Sequence, residues 1–463
     1  MQEFAARIEA ALVMGTILNN NNTMQLVGSE KAHQLLKDSN GTVSLEKLVN
    51  QIAFSLYASP AEQLKIGITD PESGLPGLSK ERGIPLAESI ENKLVQTAFY
   101  DKLVHNPDID KAGVDELKEF AQILDIHHIP ADEKELLINC IIPGIPQIDE
   151  INRVATYTLL LQLAQDKNQM LEVDDILSAS MRPQKYDMEL FHNMKNGWLA
   201  YLIRDMLAVV HESTFRLVTN IIHKIKDKQP PHYRIVLQEL FSHQNELIDQ
   251  FDELHILNDE KDLQNFSFIE FEKQIDKQLT NKSYHAGLAR WENGLNELQI
   301  IESSLHSDFY NLLLLPACWV LAARRIDPET QTDFNQQLSI RGGRFELTTI
   351  LSKLEQYRTE NWKLLDVCTD LVTSTVQQHL NIVMSRMQNR SENVAVIYKE
   401  NECWLPVNDK TFEGGRTVSR FKQAIGWLHQ LGLVDEKGIT GNGINILHKG
   451  LKLLSEYNPH ESK

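Results

Sequence analysis

Four cysteines in 463 residues, none spaced as Cys-x-x-Cys, leave little room for a disulfide framework or a zinc ribbon. Cys140, Cys318, Cys368 and Cys403 lie far apart and are expected to be reduced thiols. Glycine (22) and proline (15) are scarce, so the loops are economical. No apolar run is long enough for a membrane helix. The most apolar stretch, Leu312 to Ala323, carries Pro316, is bounded by Asp308 and Arg324, and is expected to form a buried core helix. The N-terminus lacks a basic segment followed by an apolar stretch and a cleavage site, so a cytoplasmic location is expected. Nucleophile and nucleotide signatures are missing as well. There is no GxSxG, no GxGxxG and no kinase set, and Gly74 to Lys80 does not match a phosphate-binding loop. His127 and His128 are adjacent, which on a helix points them about 100° apart. His211-Glu212 lacks the second histidine of a zinc helix. No metal and no cofactor are expected.

Positive charge is also in short supply. Lys and Arg number 46 against 64 Asp and Glu, a net charge of −18. Such a chain repels phosphates at long range and is not a general nucleic-acid coat. The imbalance is uneven. From Arg386 to Lys463 there are 11 basic and 9 acidic residues, net +2, so the remainder carries −20. Glu246 to Asp276 holds 10 acidic residues and only Lys261 and Lys273. That stretch reads as a solvated helical face or as a docking surface for a basic partner.

What is abundant is helical periodicity, with no regular repeat. Residues 1–58 read as a small helical module, with Phe4, Ile8, Ala11, Leu12 and Ile17 along one stripe. Ser44 is placed to cap a second helix there, with Leu45, Leu48, Ile52 and Leu56 on its face. Residues 59–86 gather Pro60, Gly67, Pro71, Gly74, Pro76, Gly77, Gly83 and Pro85 and read as a linker. Residues 87–385 form a helical body, with long patterns at Ile90–Tyr100, Val114–Leu124, Ile148–Asp166, Met188–Lys224, Arg234–Leu257, Phe268–Leu279, Ala286–Leu305 and Leu347–Met387. Residues 386–463 change character. Val394–Tyr398 and Cys403–Val407 read as a hairpin, followed by helix, strand, short turn, strand and helix. The expected fold is mainly α, a multi-helical body with a small C-terminal winged-helix (α+β) module.

The winged helix carries the clearest binding logic. In its first helix, Arg416 to Leu431, Phe421, Ile425 and Leu428 recur at i, i+4 and i+7 and are expected to face a core. Arg416, Ser419, Arg420, Gln423 and Trp427 fall on the other side. Arg416 and Arg420 lie one turn apart, where two guanidinium groups can meet neighbouring phosphates or a guanine edge. Lys437, Lys449 and Lys452 add positive charge near the turn and the last helix. An apolar back with a basic, polar front is what a recognition helix needs, so Arg416, Arg420, Gln423 and Lys437 are the candidate nucleic-acid contacts. The same fold also serves as a protein-docking module. Arg341-Gly342-Gly343-Arg344 is a basic turn ahead of a helix and reads first as a plain connection.

A second candidate lies mid-chain. Arg204 and His211 are seven residues apart on one helical pattern. The pair resembles the Arg-x4–6-His motif of HEPN ribonucleases. There the histidine would serve as acid and base for a ribose hydroxyl, and the arginine would stabilise the phosphorane charge. Composition alone produces about two such pairs by chance. Two occur, the other being Arg216–His223. A polar seam in a helical bundle accounts for both.

Trp198-Tyr201-Arg204-Asp205, Gln378-His379 and the run Gly432-Leu433-Val434 with Thr440 to Gly443 resemble features of helical bacterial proteins from antiphage-defence loci that end in a winged helix. The resemblance implies a subunit acting beside an ATPase, helicase or nuclease. A weaker likeness is to kleisin-type scaffolds that bridge an SMC-like ATPase, although the N-terminal module lacks a clear wing. The expectation is a non-enzymatic, structural or DNA-engaging subunit of a bacterial complex, with other protein subunits and DNA as partners and no membrane. A metal-independent ribonuclease built on Arg204 and His211 is the alternative.

Overall fold

The structure is a computed structural model of the whole chain. It describes residues 2–19, 28–48, 53–69, 76–125, 128–180, 189–242, 265–278, 299, 311–325, 347–389, 395–407, 412 and 420–457. Among these the chain is mainly helical, and its strands form only two-stranded antiparallel pairs. The chain divides into two compact units, one of residues 1–171 with 423–463 and one of residues 172–422.

The first unit begins with α1 (Gln2–Asn19), α2 (Ser29–Lys37), β1 (Thr42–Ser44) and α3 (Ala53–Gln63). β2 (Gly67–Thr69), β3 (Pro76–Leu78), α4 (Gly83–Leu94), α5 (Ala98–His105) and β4 (Lys111–Gly113) follow. α6 (Val114–Ile123), α7 (Ala131–Ile141) and α8 (Ile151–Lys167) complete its N-terminal part. Of the expected stripe on α1, Ala11 and Ile17 are buried, while Phe4, Ile8 and Leu12 are half-buried against the same core. Ala10, Ala11 and Met14 meet a core that includes Phe99, Leu117 and Phe120. Gly15 lets α1 approach α6 closely, since a Cβ there would lie 2.2 Å from the Leu117 carbonyl. Ser44 does not cap a helix. Thr42–Ser44 pair with Lys111–Gly113 instead, and the next helix among the described residues is α3. β-branched Thr42 and Val43 favour that strand, and Val43 is buried by it. The Gly/Pro-rich stretch holds the end of α3, the β2–β3 pair and the start of α4. It is fixed by charge. Arg82 forks onto the buried Glu150 at 2.5 and 3.0 Å, and Arg153 joins the same carboxylate. These hydrogen bonds hold the Glu150 carboxyl below its ordinary range against the opposing effect of burial.

The second unit comprises α9 (Val173–Ser180), α10 (Glu189–Ile225), α11 (Tyr233–Leu240), α12 (Phe268–Gln278), α13 (Asn311–Arg324), α14 (Leu347–Thr359) and α15 (Leu364–Asn389), with β5 (Ile397–Glu400) and β6 (Cys403–Pro406). α10 runs 37 residues. α13 is the expected core helix, with Leu312 to Ala322 all buried, and it packs against α10, α14 and α15. A continuous pattern over Leu347–Met387 becomes two helices because Asn361 adopts a left-handed φ of 49°. Charge ties the helices together. Arg358 forks onto the buried Glu272 at 2.9 and 2.8 Å, and Arg324 pairs with Asp276. Lys353 and Tyr357 both donate to Asp370. Glu270 caps its own helix through Ser267. Each acidic residue of α12 therefore has a partner, Glu272 buried and Glu270 at the surface. Residues 243–264 and the patterns at 286–298 and 300–305 lie outside the described residues.

The last elements are α16 (Arg420–Gln430), β7 (Val434–Asp435), β8 (Gly438–Ile439) and α17 (Gly441–Glu456). The unit boundary at 422/423 falls within α16, so most of this motif groups with residues 1–171. The β5–β6 hairpin groups with residues 172–422.

Candidate nucleic-acid interface

Phe421, Ile425 and Leu428 are buried, as their spacing requires. At the helix start, Phe421 packs edge-on against Trp198 and Tyr201 of α10, with ring centroids at 5.3 and 5.4 Å. The Tyr201 hydroxyl accepts the Arg420 backbone N–H at 3.2 Å. That satisfies one of the donors a helix N-terminus otherwise leaves unpaired.

The helix ends in a Schellman turn. Gly432 takes φ +71°, its N–H donates to His429 O, and Leu433 N–H donates to Leu428 O, each at 2.9 Å. β7 and β8 then pair Val434 with Ile439 and Asp435 with Gly438 around the two-residue turn Glu436-Lys437. Gly438 has φ +106°, and a Cβ on it would lie 3.1 Å from Ala164 O at the end of α8. The wing is thus short and laid on α8. Thr440 caps α17, accepting Gly443 N–H at 3.0 Å.

The sequence candidates separate on this frame. Arg416 lies outside the described residues. Arg420 and Gln423 are exposed and sit one turn apart on α16. Lys437 is exposed at the wing tip rather than on the helix, and its N–H donates to Asp435 Oδ1 at 2.7 Å. Lys449 turns inward. Its ammonium donates to Ile142 O at 2.7 Å, and burial lowers its pKa from the usual lysine value. Lys452 pairs with Glu456 at 3.8 Å.

Sequence reasoning passed over three residues. Lys422, Gly426 and His429 recur at i, i+4 and i+7 beside the apolar stripe, and Lys422 and His429 are exposed. A Cβ on Gly426 would meet nothing within 4 Å among the described residues. The signal was available in the same periodicity that gave the apolar face, displaced by one residue. From Arg420 to Tyr457 the basic residues are Arg420, Lys422, Lys437, Lys449 and Lys452, against Asp435, Glu436 and Glu456.

Arg204 and His211 both lie on α10 but in different settings. The Arg204 guanidinium lies 5.7 Å from the Tyr201 ring centroid. His211 is buried, and both ring nitrogens are engaged. Trp319 Nε1 donates to its Nε2 at 3.1 Å, and its Nδ1 lies 2.7 Å from Thr375 Oγ1. Because Thr375 donates its own proton to Leu371 O, Nδ1 carries the ring proton. Burial pushes the imidazole pKa down to about 3, so the ring is neutral. An acid–base histidine must reach its substrate and change charge near working pH. His211 is instead part of a polar seam joining α10, α13 and α15.

No set of three His, Cys, Asp or Glu side chains able to hold a metal occurs among the described residues. His128 lies 2.7 Å from Asp125, and His127 is outside those residues. Arg341 to Arg344 are also outside them. No described helix is long and apolar enough to cross a membrane. No protein-family model, curated protein or solved structure matches this chain significantly.

Proposed function

We propose that the exposed face of α16 contacts nucleic acid and that the protein acts as a non-enzymatic subunit of a larger assembly. The observation that carries this reading is the uncovered surface of Arg420, Lys422, Gln423, Gly426 and His429 over a buried Phe421-Ile425-Leu428 back. Arg420 and Lys422 supply charge for phosphates, Gln423 supplies a donor and an acceptor for base edges, and Gly426 allows a strand to approach the helix backbone. The surrounding charge is small. Five basic residues against three acidic ones cannot hold a duplex tightly beside a body of net −20. Further affinity must come from partner proteins, which is why the reading is a subunit and not a free-standing DNA-binding protein. A place in an antiphage-defence complex rests on the sequence resemblance alone.

The test is fluorescence anisotropy of the full chain with labelled duplex DNA at roughly 50 mM salt. Replacing Arg420, Lys422 and Gln423 with alanine is expected to weaken binding about tenfold. It should also reduce the salt-dependence slope by about 2, for two lost phosphate contacts. Gly426→Ala separates folding from binding. It should stabilise the helix by about 0.5–1 kcal/mol while weakening the complex. Affinity and slope unchanged in the triple variant would remove the assignment.

A further inference from the structure

The β5–β6 hairpin meets the start of α11 through backbone hydrogen bonds and through the side chain of His232. Two backbone hydrogen bonds bring the segments together. Tyr233 N–H donates to Glu402 O at 2.9 Å, and Trp404 N–H donates to Pro231 O at 3.0 Å. His232 lies across from Cys403 in an isolated antiparallel bridge. It is also the N-cap of α11, and its ring works in two directions. Nδ1 accepts the Arg234 backbone N–H at 3.2 Å, and Nε2 lies 2.7 Å from Glu402 Oε2. The carboxylate only accepts, so Nε2 carries the proton and Nδ1 is bare. The ring stacks on Tyr233, with centroids 5.1 Å apart and planes at 24°.

We infer that His232 is a proton-operated cap of α11 that stays tied to the β5–β6 hairpin in both protonation states. Only a neutral ring with its proton on Nε2 serves both elements. A second proton must go to Nδ1, where it would face the Arg234 N–H, and the helix cap is then lost. Nε2–H keeps Glu402 and gains charge assistance. The described titratable groups around the ring divide by element. From the hairpin come Glu402, which attracts an imidazolium, and Cys403, which lies across from His232 in the bridge. From α11 come Tyr233 and Arg234, whose guanidinium lies over the Tyr233 ring and repels a second cation. The positive end of the α11 dipole opposes protonation as well. Acid therefore loosens the first turn of α11 and leaves the hairpin attached.

The experiment is NMR on the full chain labelled with nitrogen-15, read at pH 8 and pH 5. At pH 8 the His232 ring should show the Nε2–H tautomer. At pH 5 the exchange protection factor of the Arg234 amide should fall about fivefold, the size of one lost N-cap bond. The Tyr233 and Trp404 amides should keep theirs. His232→Asn retains a cap acceptor that does not titrate, so its Arg234 protection should be the same at both pH values. An Nδ1–H tautomer at pH 8, an Arg234 amide indifferent to pH in the native chain, or an equal loss in His232→Asn would each overturn the proton-operated cap.

Discussion

Buried imidazole at position 211 decides how the core of the second unit answers acid. Its ring joins the Trp319 indole to the Thr375 hydroxyl. His211→Ala would strand the buried Trp319 N–H and open a cavity. About 3 kcal/mol of stability should be lost, measured by urea denaturation at neutral pH. The pH response has a definite sign. The native ring takes a proton only near pH 3, whereas an unfolded histidine does so near about 6.5. Between those values the unfolded chain binds more protons, so stability is greatest above the unfolded pKa and falls as pH drops toward 3. The slope contributed by this one ring approaches about 1.4 kcal/mol per pH unit. It should be missing from His211→Ala, and equal slopes in the two proteins would show that the native ring titrates normally. The sequence placed His211 on a helix beside Arg204 but could not reveal its neighbours. Trp319 and Thr375 are 108 and 164 residues away.

At the scale of elements, the contact between α8 and α17 is set by a glycine. Gly443, Leu447, Gly450 and Leu454 form the buried stripe of α17. A Cβ on Gly450 would come within 2.2 Å of Thr158 Oγ1, and that hydroxyl has no hydrogen-bond partner among the described residues. Gly450→Ala should therefore cost about 2 kcal/mol by pushing the helices apart. Thr158→Ala should change stability by less than about 1 kcal/mol, because losing a methyl is offset by removing an unpaired buried hydroxyl. Together the two substitutions should recover about 1–2 kcal/mol relative to their sum, seen in thermal melts. Simple additivity would mean that the helices do not touch at this point. Periodicity made α6, α10, α12 and α16 legible, because each buries a face whose spacing is local, and an unbroken apolar run did the same for α13. Breaks were harder to see. Ile90–Tyr100 divides where Thr97 caps α5, and Leu347–Met387 divides at left-handed Asn361. Both depend on one residue adopting a conformation that the flanking apolar pattern does not announce. Ser44 erred in the other direction, since a capping residue type can equally end a strand.

For the molecule as a whole, the return of the C-terminus to the first unit is the feature least visible in the sequence. Composition marks 386–463 as different in charge, yet residues 423–463 group with 1–171 and the preceding hairpin does not. Nothing local encodes that pairing. It arises because the narrow face of α17 suits α8, which buries Val154, Ala155, Leu159, Leu160 and Leu161. Leu447 and Leu454 are both buried, and side chains of that size contribute about 1.5–3 kcal/mol each. The two together, about 3–6 kcal/mol, are a sizeable fraction of the about 5–15 kcal/mol that separates most folded chains from unfolding. The tail should then be a part of the first unit and not an independent domain. A peptide of residues 420–463 is expected to show little helix by circular dichroism, and residues 1–422 alone should melt at a lower temperature than the full chain. Mixing the two should restore helical signal beyond the sum of the parts. A peptide that folds cooperatively by itself would refute this. It would also make the α16 face a separable binding module, whereas a tail that needs α8 presents that face only when the first unit is folded.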